Sequence, residues 1–383
     1  MKKIFIIAGE PSGDLLGARL IAALRAQMGP DLQVSGIGGE RMTGQGLQSL
    51  FPMSELTLFG VAEVVPKIPL VLRRIRETVA AIRAAKPDLV ITIDSPDFCF
   101  RVTRRLAGAG LRCVHYVAPT VWAWRPGRAK AIQPLYQHLL ALFPFEPPYF
   151  ERVGLPCTFV GHPLVEAGIE TASGQRFRQA HRLAESEELL VVLPGSRSSE
   201  LARLLPVFSA VVAQLAQQRP GLRIVVPTLP HLLERLQQAT ASWLVPPIFV
   251  TNDTDKYDAL KAGTVGLAAS GTVALELALA GLPSVIAYKI HPLTYYLYRR
   301  FIRVRYVNLV NIMAGQLVVP EYLQNDCTAD RITDGVSSLL NSQERREQQK
   351  SYLERVSQQL RPNSDQTPSQ AAAQCITKLL ETI

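Results

Sequence analysis

Short aliphatic runs alternate with amphipathic stretches of helical length along most of this chain, and this alternation constrains the fold most. Each run carries apolar residues at successive positions, which is typical of strands buried on both faces of a parallel sheet. The runs fall at residues 4–8, 89–93, 113–117, 139–143, 189–193, 223–226, 248–250, 265–268 and 284–287. The amphipathic stretches fall at 14–28, 70–84, 201–218 and 272–279. The pattern predicts an α/β protein with doubly wound parallel sheets.

The series of strands pauses at a polar, turn-rich segment near residues 165–186, which indicates a domain boundary. We therefore predict a first domain over 1–165 and a second over 166–361. A last amphipathic helix, about 362–383, is expected either to pack back on the first domain or to be exchanged with a partner subunit.

The composition limits the kinds of binding partner and the cellular compartment that we expect. Lys and Arg number 41 against 32 Asp and Glu, and the net charge of +9 favours anionic partners such as phosphate esters, nucleic acid or an acidic membrane surface. No apolar stretch is expected to reach the ~18–20 residues that cross a bilayer. The apolar run after Lys3 is too short for a signal peptide. The 5 cysteines are widely separated and form no C-x-x-C pair, which argues against a disulfide framework or cysteine zinc site and favours the cytoplasm.

The first strand ends in Gly9-Glu10-Pro11-Ser12-Gly13-Asp14, which leads directly into a helix. Glycines allow close backbone approach to a ligand, and a helix N-terminus offers free N–H groups to an anion. The same residues also suit a plain turn in which Ser12 or Asp14 caps the helix. Neither the dinucleotide fingerprint nor the P-loop pattern occurs in the chain, which disfavours simple NAD or P-loop proteins.

Two carboxylates, Asp94 and Asp97, follow the strand at 89–93. Ligands of open α/β sheets lie beyond the carboxyl ends of the strands, so Asp94 is placed to act as a general base or to bind a hydroxyl. Glu10 should project at the same edge. The alternative is that Asp94 or Ser95 only caps the next helix.

The segment 115–125 holds His115, Trp122, Trp124 and Arg125, and it follows a third strand. Two tryptophans beside an arginine are suited to form a stacking or acyl-contacting wall. Core packing remains the alternative for either ring and for the histidine.

The second half carries two loops of the kind that bind phosphate, each leading into a helix. One contains Gly195, Ser196 and Arg197, and the other contains Ser270, Gly271 and Thr272. Glycine, hydroxyl, guanidinium and a helix N-terminus together suit a pyrophosphate. Glu276, one turn into the second helix, is a natural partner for ribose hydroxyls.

The segment from Leu56 to Leu70 is apolar, punctuated by prolines, and leads into Arg73, Arg74 and Arg76. If exposed, it would be an interfacial patch with cations for anionic headgroups. If buried, it is a connection under the sheet. Solvated helix faces are the ordinary explanation of such basic clusters.

Collinear motifs resemble the lipid-A-disaccharide synthase family, inverting glycosyltransferases of the GT-B type. They are G-E-x-S-G-D at 9–14, I-D-x-P-D-F at 93–98, H-Y-V-x-P-[ST]-V-W-A-W-R at 115–125, P-F-E at 144–146, F-V-G-H-P at 159–163, L-P-G-S-R-x-x-E at 193–200, A-S-G-T-x-x-L-E at 269–276, and Asn311 with 319–324. The resemblance implies GT-B architecture, with two Rossmann-like domains facing a cleft.

The resemblance further implies a reaction and its site residues. A 2,3-diacylglucosamine unit would pass from UDP-2,3-diacylglucosamine to the 6-hydroxyl of 2,3-diacylglucosamine 1-phosphate, with no metal or other cofactor and no nucleic-acid partner. Asp94 is the first choice of base, with Glu10, Asp97 and His115 as further candidates or orienters. The acceptor is expected near Ser12, Trp122, Trp124, Arg125 and Glu146, and the nucleotide at Gly195, Ser196, Arg197, Ser270, Gly271, Thr272, Glu276, Asn311 and Gln324.

The implied setting is the cytoplasm, with peripheral attachment to the inner membrane through the segment from Leu56 to Leu70 and the three arginines that follow. The sequence leaves open whether the protein forms a homodimer. Two positions depart from the family: Cys99 replaces the usual asparagine, and Val310 replaces proline in L-P-N, which is expected to loosen the nucleotide-side loop.

Two other classes stay open from the residues alone. A nucleotide-sugar epimerase or NAD-dependent dehydrogenase would also pair α/β halves, but an enzyme of this class should carry a dinucleotide fingerprint near the first strand, and residues 9–14 do not form one. A non-catalytic membrane or nucleic-acid binding module would explain the charge, yet it gives no reason for two phosphate-type loops.

Overall fold

The chain forms two parallel sheets, each in its own compact unit. The computed structural model describes residues 2–56, 61–123, 125–291, 296 and 304–381, and for 61–67 the backbone alone. One unit comprises Met1–Pro163 with Leu360–Ile383, and the other comprises Leu164–Gln359. These divisions lie two residues before the boundaries predicted at 165 and 361.

The first unit holds a seven-stranded sheet in the order β3-β2-β1-β4-β5-β6-β7, with every neighbouring pair parallel. Its strands are Lys3–Ala8 (β1), Gln33–Ile37 (β2), Gln48–Ser49 (β3), Leu89–Ile93 (β4), Cys113–Tyr116 (β5), His138–Ala141 (β6) and Cys157–Phe159 (β7). In β1, Ile4 and Ile6 join one core cluster while Phe5 and Ile7 join another. Because helices cover both faces of the sheet, the residues that point to either face are apolar. The sequence of the strand is therefore one continuous apolar run.

The helices of this unit flank the sheet on both faces. They are Pro11–Met28 (α1), Glu40–Gly44 (α2), Val61–Ala85 (α3), Pro96–Leu106 (α4), Gly127–Ile132 (α5) and Pro147–Glu151 (α6). Apolar residues of α1 pack on one face, and those of α3 and α4 pack on the other.

The second unit holds a six-stranded parallel sheet in the order β10-β9-β8-β11-β12-β13. Its strands are Leu189–Leu193 (β8), Arg223–Pro227 (β9), Ile248–Val250 (β10), Val265–Ala269 (β11), Ser284–Tyr288 (β12) and Glu321–Leu323 (β13). Its helices are Gly174–Ala180 (α7), Ser198–Gln218 (α8), Leu233–Thr240 (α9), Asp253–Ala262 (α10), Val273–Ala280 (α11), Leu309–Ala314 (α12), Ala329–Asn341 (α13) and Gln343–Gln359 (α14).

The chain then returns to the first unit through Pro368–Glu381 (α15), whose buried residues pack with those of α1. Of the two expectations for the last helix, the structure shows it packed back within its own chain. Short 3-10 helices complete the described structure at Met53–Glu55, Gln133–Leu135, Pro163–Glu166, Ile169–Thr171, Pro230–Leu232 and Gln324–Asp326.

The predicted fold class is confirmed, and each of the predicted apolar runs forms a strand. The sequence analysis missed β2, β3, β7 and β13. These strands are short or lie toward a sheet edge, and their partly exposed residues break the continuous apolar run that marks a fully buried strand.

Both sheets reverse their strand order beside the first strand of the unit. In the first unit β1 lies next to β4, with Ala8 opposite Ile93, so the segments that begin at Gly9 and Asp94 leave adjacent strand ends. In the second unit β8 lies next to β11, with Leu193 opposite Ala268. Such switch points are where open α/β sheets bind ligands.

One helix in the described part of the chain, Ser198–Gln218, is long and apolar enough to span a membrane. The sequence analysis had expected no such stretch. One face of this helix, which includes Leu204 and Phe208, is buried in the core of the second unit.

Candidate functional site

A cavity of about 350 Å³ opens at the switch point of the second unit. Both predicted phosphate-type loops line it, because each follows one of two adjacent strands. The predicted nucleotide residues on its wall are Gly195, Ser196, Arg197, Ser270, Gly271, Thr272 and Glu276. The two loops lie roughly 70 to 80 positions apart in the sequence. The fold brings them together because the strands that precede them, β8 and β11, are neighbours in the sheet.

The first loop binds an anionic group of the chain itself. The backbone N–H groups of Ser196 and Arg197 donate to Oε2 of Glu200 at 3.2 and 3.3 Å, and Nη1 of Arg197 donates to Oε1 at 3.0 Å. Gly195 adopts φ +117°, and a Cβ there would lie 2.9 Å from Glu200 Oε2, so the position requires glycine. The Arg197 side chain is 70% exposed and is available to a ligand.

The second loop leads into α11, whose first turn carries Glu276. This carboxylate is paired with Lys256 of α10, whose Nζ lies 2.7 Å from Oε1 and 2.6 Å from Oε2. Both side chains line the cavity. The sequence analysis did not predict the lysine.

Several further residues of the cavity were also missed: Thr228, Leu229, Thr251, Asn252 and Asp253. They follow β9 and β10 at the same sheet edge, so the carboxyl-end rule could have found them. The Oγ1 atom of Thr228 is buried without a hydrogen-bond partner among the residues that the structure describes.

Asn311, predicted to line the nucleotide site, is instead fully buried in the structure and has a scaffolding role. Its Nδ2 donates to the Val319 carbonyl and to Glu321, while its Oδ1 accepts from the Val318 and Val319 N–H groups. Because both ends of the amide are satisfied within the chain, a direct nucleotide contact is not available to it. The expectation is corrected on this point.

Gln324 and Val310 also differ from expectation. The side-chain amide of Gln324 donates its N–H to the Ile290 carbonyl, and its oxygen accepts from the Ile290 N–H, both at 3.2 Å. Gln324 does not line the cavity. Val310, where the family has proline, donates its N–H to Oδ1 of Asn308 at 2.9 Å and lies in the first turn of the helix that begins at Leu309. The expected loosening is absent from this described segment.

In the first unit, Glu10 and Asp94 follow adjacent strand ends, as predicted from the motifs. The backbone of Asp94 has φ +50° and that of Ser95 has φ +43°, a left-handed pair that is strained for residues other than glycine. Burial raises the pKa of Asp94. Burial, followed by the charges of Asp94 and Glu10, also raises the pKa of the Cys99 thiol.

Of the residues predicted as possible helix caps, only Ser95 occupies an N-cap position. It precedes α4 but makes no side-chain capping bond, and its Oγ is buried with no partner in the described part of the chain. Glu10 occupies the N-cap of α1. Asp14 is buried and accepts from the N–H groups of Gly39, Arg41 and Met42 at 2.7–3.1 Å, so it holds α2 instead.

We expect Gly9→Ala to destabilise the protein by about 1–3 kcal/mol through overpacking. A Cβ at Gly9 would lie 2.6 Å from Ser95 Oγ and 3.0 Å from Ser95 Cβ. Adding Ser95→Gly should restore most of the loss, since it removes both atoms and suits a φ of +43°. Denaturant titrations of both single variants and the double variant measure this. A double variant no more stable than Gly9→Ala would show that this close approach is not what requires glycine.

Asp97 and His115 occupy opposite environments. The Asp97 side chain is 93% exposed, and Nη2 of Arg128 lies 3.4 Å from its Oδ1. His115 is 1% exposed, with its Nδ1 2.7 Å from Thr92 Oγ1 and its ring against Phe100 and Tyr136. Burial lowers the pKa of His115 to about 3, so the ring is neutral and enclosed. A base in direct contact with substrate does not fit this burial, whereas the role of an orienter, the other one predicted for His115, stays a prediction.

Glu146 is a positioning group. It is 2% exposed, and burial raises its pKa to about 7. Its Oε2 accepts from the N–H groups of Leu142 and Phe143 at 3.1 Å, and its Oε1 accepts from Trp122 Nε1 at 3.2 Å. It therefore holds the indole of Trp122, which also packs edge-on against Phe145. A direct substrate contact by Glu146, as predicted, does not fit this burial.

The other predicted acceptor residues are only partly described. Ser12 is exposed in the first turn of α1, and Arg125 is exposed with φ +53°. Trp124 lies outside the described residues, as do residues 57–60 and the side chains of 61–67 within the segment from Leu56 to Leu70.

The arginines after that segment divide into two kinds. Arg74 is held inside the unit by Glu55 and Glu77 and stacks over Phe51, so it is not available to headgroups. Arg73 and Arg76 are exposed. Among residues 2–56, 61–123, 125–291, 296 and 304–381, no cluster of His, Cys, Asp or Glu is arranged to hold a metal ion.

Comparison with solved structures defines the class of fold. The UDP co-structure of MnaA from S. aureus matches with a TM-score of 0.68 at 14% identity, covering 100% of this chain and 98% of that one. MurG from Acinetobacter baumannii matches with a TM-score of 0.58 at 14% identity, covering 100% of both chains. These identities show the fold alone, and that fold is GT-B.

Sequence comparison then defines the family. The profile of the Lipid-A-disaccharide synthetase family matches residues 4–375, and the chain belongs to this family. The lipid-A-disaccharide synthase of Rhodospirillum centenum is 55% identical, with 98% of this chain and 94% of the relative covered. The enzyme of the same name from Granulibacter bethesdensis is 44% identical, with 98% of both chains covered.

Proposed function

We propose that this chain is a lipid-A-disaccharide synthase, a UDP-sugar-dependent glycosyltransferase. It transfers 2,3-diacylglucosamine from UDP-2,3-diacylglucosamine to the 6-hydroxyl of 2,3-diacylglucosamine 1-phosphate, releasing UDP. The observation that carries the proposal is the 55% identity to a lipid-A-disaccharide synthase over 98% of the chain. The cavity at the switch point of the second unit supports it, because the residues that line the cavity suit a nucleoside diphosphate.

The second unit receives the leaving group. The exposed guanidinium of Arg197 and the N–H groups at the start of α8 face the developing charge of UDP, together with the loop of Ser270, Gly271 and Thr272. In the structure the N–H groups of Ser196 and Arg197 donate to the carboxylate of Glu200, which the diphosphate would displace from these donors. Glu276 accepts hydrogen bonds from ribose. No metal ion enters the proposed reaction.

The first unit supplies the base. Asp94 accepts the proton of the acceptor 6-hydroxyl, and that oxygen forms a bond to the anomeric carbon of the donor. The bond from this carbon to the UDP oxygen breaks, and its electron pair leaves with UDP. Attack opposite to the leaving group inverts the anomeric centre and gives a β-1′,6 linkage. The raised pKa of Asp94 supports the assignment, because a base works best with a pKa nearer the operating pH.

Product analysis tests this proposal. Purified protein, incubated with both lipid substrates in detergent micelles, should yield a disaccharide whose mass equals both sugars with their acyl chains and one phosphate. The coupling constant of its anomeric proton should identify the β linkage. A UDP-sugar epimerised without consumption of the acceptor would contradict the proposal and favour the epimerase alternative.

We further propose that the protein works in the cytoplasm on the inner membrane surface, where both lipid substrates partition. The exposed Arg73 and Arg76, together with the segment from Leu56 to Leu70, would contact anionic headgroups. Each cation near an anionic surface contributes about 1 kcal/mol.

Reversing these two charges should weaken binding to vesicles. We expect Arg73→Glu/Arg76→Glu to lower the partition coefficient on phosphatidylglycerol vesicles by at least about tenfold in sedimentation assays. Arg101→Glu/Arg104→Glu is the matched control, since these exposed arginines have the same spacing on α4 and give the same change of net charge. Equal losses in both double variants would indicate a net-charge effect and contradict a local surface.

A further inference from the structure

The ion pair between Lys256 and Glu276 is part of the cavity wall. The two side chains are 22% and 12% exposed, so the pair is largely shielded from bulk water while it still faces the cavity. Lys256 sits in the first turn of α10, where its N–H donates to the Asn252 carbonyl at 3.0 Å. Asp253 and Asp255 precede it in the sequence, yet its ammonium contacts the carboxylate of Glu276 on α11.

The geometry of this pair leaves capacity for a second partner. An ionised carboxylate has about four acceptor positions, two on each oxygen. Nζ lies within hydrogen-bond distance of both oxygens, at 2.7 and 2.6 Å, and so takes one position on each. The remaining lone pairs lie on the outer sides of the two oxygens and point away from each other, so one of them can accept from one ribose hydroxyl while Nζ stays in place.

We propose that Lys256 is a positioning residue that orients Glu276 to accept from the 2′-hydroxyl of the ribose. It thereby sets the discrimination of the protein between ribonucleotides and 2′-deoxyribonucleotides. This inference rests on the proposed function, in which Glu276 binds the ribose of a UDP-sugar. Without the ammonium, the carboxylate would turn toward solvent or toward the diphosphate loops, and the 2′-hydroxyl would lose its partner.

Two other roles make different predictions. A direct contact between Lys256 and the diphosphate would affect ligands with phosphate and leave the nucleoside unaffected. A purely structural contact between α10 and α11 would change the melting temperature without changing the ratio of affinities for ribose and deoxyribose ligands.

Calorimetric titration with UDP, 2′-deoxy-UDP and uridine separates these roles. We expect the wild-type protein to prefer UDP to 2′-deoxy-UDP by about tenfold or more, the range for a hydrogen bond to a charged group. Lys256→Met, which keeps the length of the side chain without its charge, should bring this ratio within about twofold of one and weaken uridine and UDP alike. Lys256→Arg should retain most of the ratio, and adding Lys256→Met to Glu276→Gln should cause little further loss.

Three results would overturn the inference. One is an unchanged ratio in Lys256→Met, and another is a loss of UDP affinity with uridine unaffected. The third is full additivity of Lys256→Met and Glu276→Gln. Each leaves the proposed function standing, provided that the wild-type protein binds UDP. A wild-type protein that binds no UDP would fail the proposed function itself, so the two failures are distinguishable.

Discussion

Replacing Asp94 with asparagine is expected to lower turnover by about 10²- to 10⁴-fold, the usual contribution of a general base. The amide keeps the size of the side chain but cannot take the proton of the acceptor hydroxyl. UDP affinity should stay within about twofold of the wild-type value, since the nucleotide cavity is formed by residues of the second unit. Steady-state kinetics and calorimetry on the same preparation measure both quantities.

The pH profile gives this prediction a second readout. A base acts in its ionised form, so kcat/KM should fall as the pH drops through the pKa of Asp94. Because burial raises this pKa, the midpoint should lie above the ordinary aspartate value of 3.8. The acid limb should disappear from the residual activity of Asp94→Asn.

Asp97→Asn is the matched control, because it makes the same chemical change three residues away on a side chain that is 93% exposed. We expect it to retain most of the turnover. Wild-type turnover in Asp94→Asn, or a larger loss in Asp97→Asn, would show that the base has been assigned to the wrong carboxylate.

Arg197→Ala should be the second large effect, with kcat/KM for the UDP-sugar lowered by about 10²- to 10³-fold. The guanidinium is the cation of the first loop, and its loss leaves the leaving diphosphate less stabilised in the transition state. Stability should change by less than about 1 kcal/mol, since the side chain is 70% exposed and its pair with Glu200 is a surface ion pair.

Arg197→Lys should fall between the wild type and Arg197→Ala, because an ammonium keeps the charge but loses the planar fork. Arg235→Ala, an exposed arginine of α9 outside the residues that line the cavity, controls for net charge. Normal UDP affinity and kcat/KM in Arg197→Ala would contradict the placement of the diphosphate on this loop.

The strands and site residues that the sequence predicts are those whose burial or position at a strand end leaves a pattern in the sequence. Strands buried on both faces, such as β1 and β8, produce continuous apolar runs that the sequence shows directly. The carboxyl-end rule then places Asp94, Gly195 and Ser270 at switch points. Edge strands such as β7 and β13 are half exposed and carry no such run, so they were missed.

Burial of polar side chains is what the sequence could not predict. Asn311, His115 and Glu146 stand in family motifs, and their residue types suit ligands. In the structure each is buried and bonded to neighbours in its own chain. A motif can mark a residue that supports a site as readily as one that contacts the ligand. Lys256 is the opposite case, since its role arises from a contact with α11 that no local pattern of α10 reveals.

Acceptor-dependent release of UDP tests the central claim most directly. Purified protein is incubated with UDP-2,3-diacylglucosamine in detergent micelles and chelator, with and without 2,3-diacylglucosamine 1-phosphate, and free UDP is quantified. The proposal predicts UDP release that requires the acceptor, saturates with it and matches the disaccharide formed mole for mole. UDP release at the same rate without the acceptor, or none with both substrates present, would contradict it.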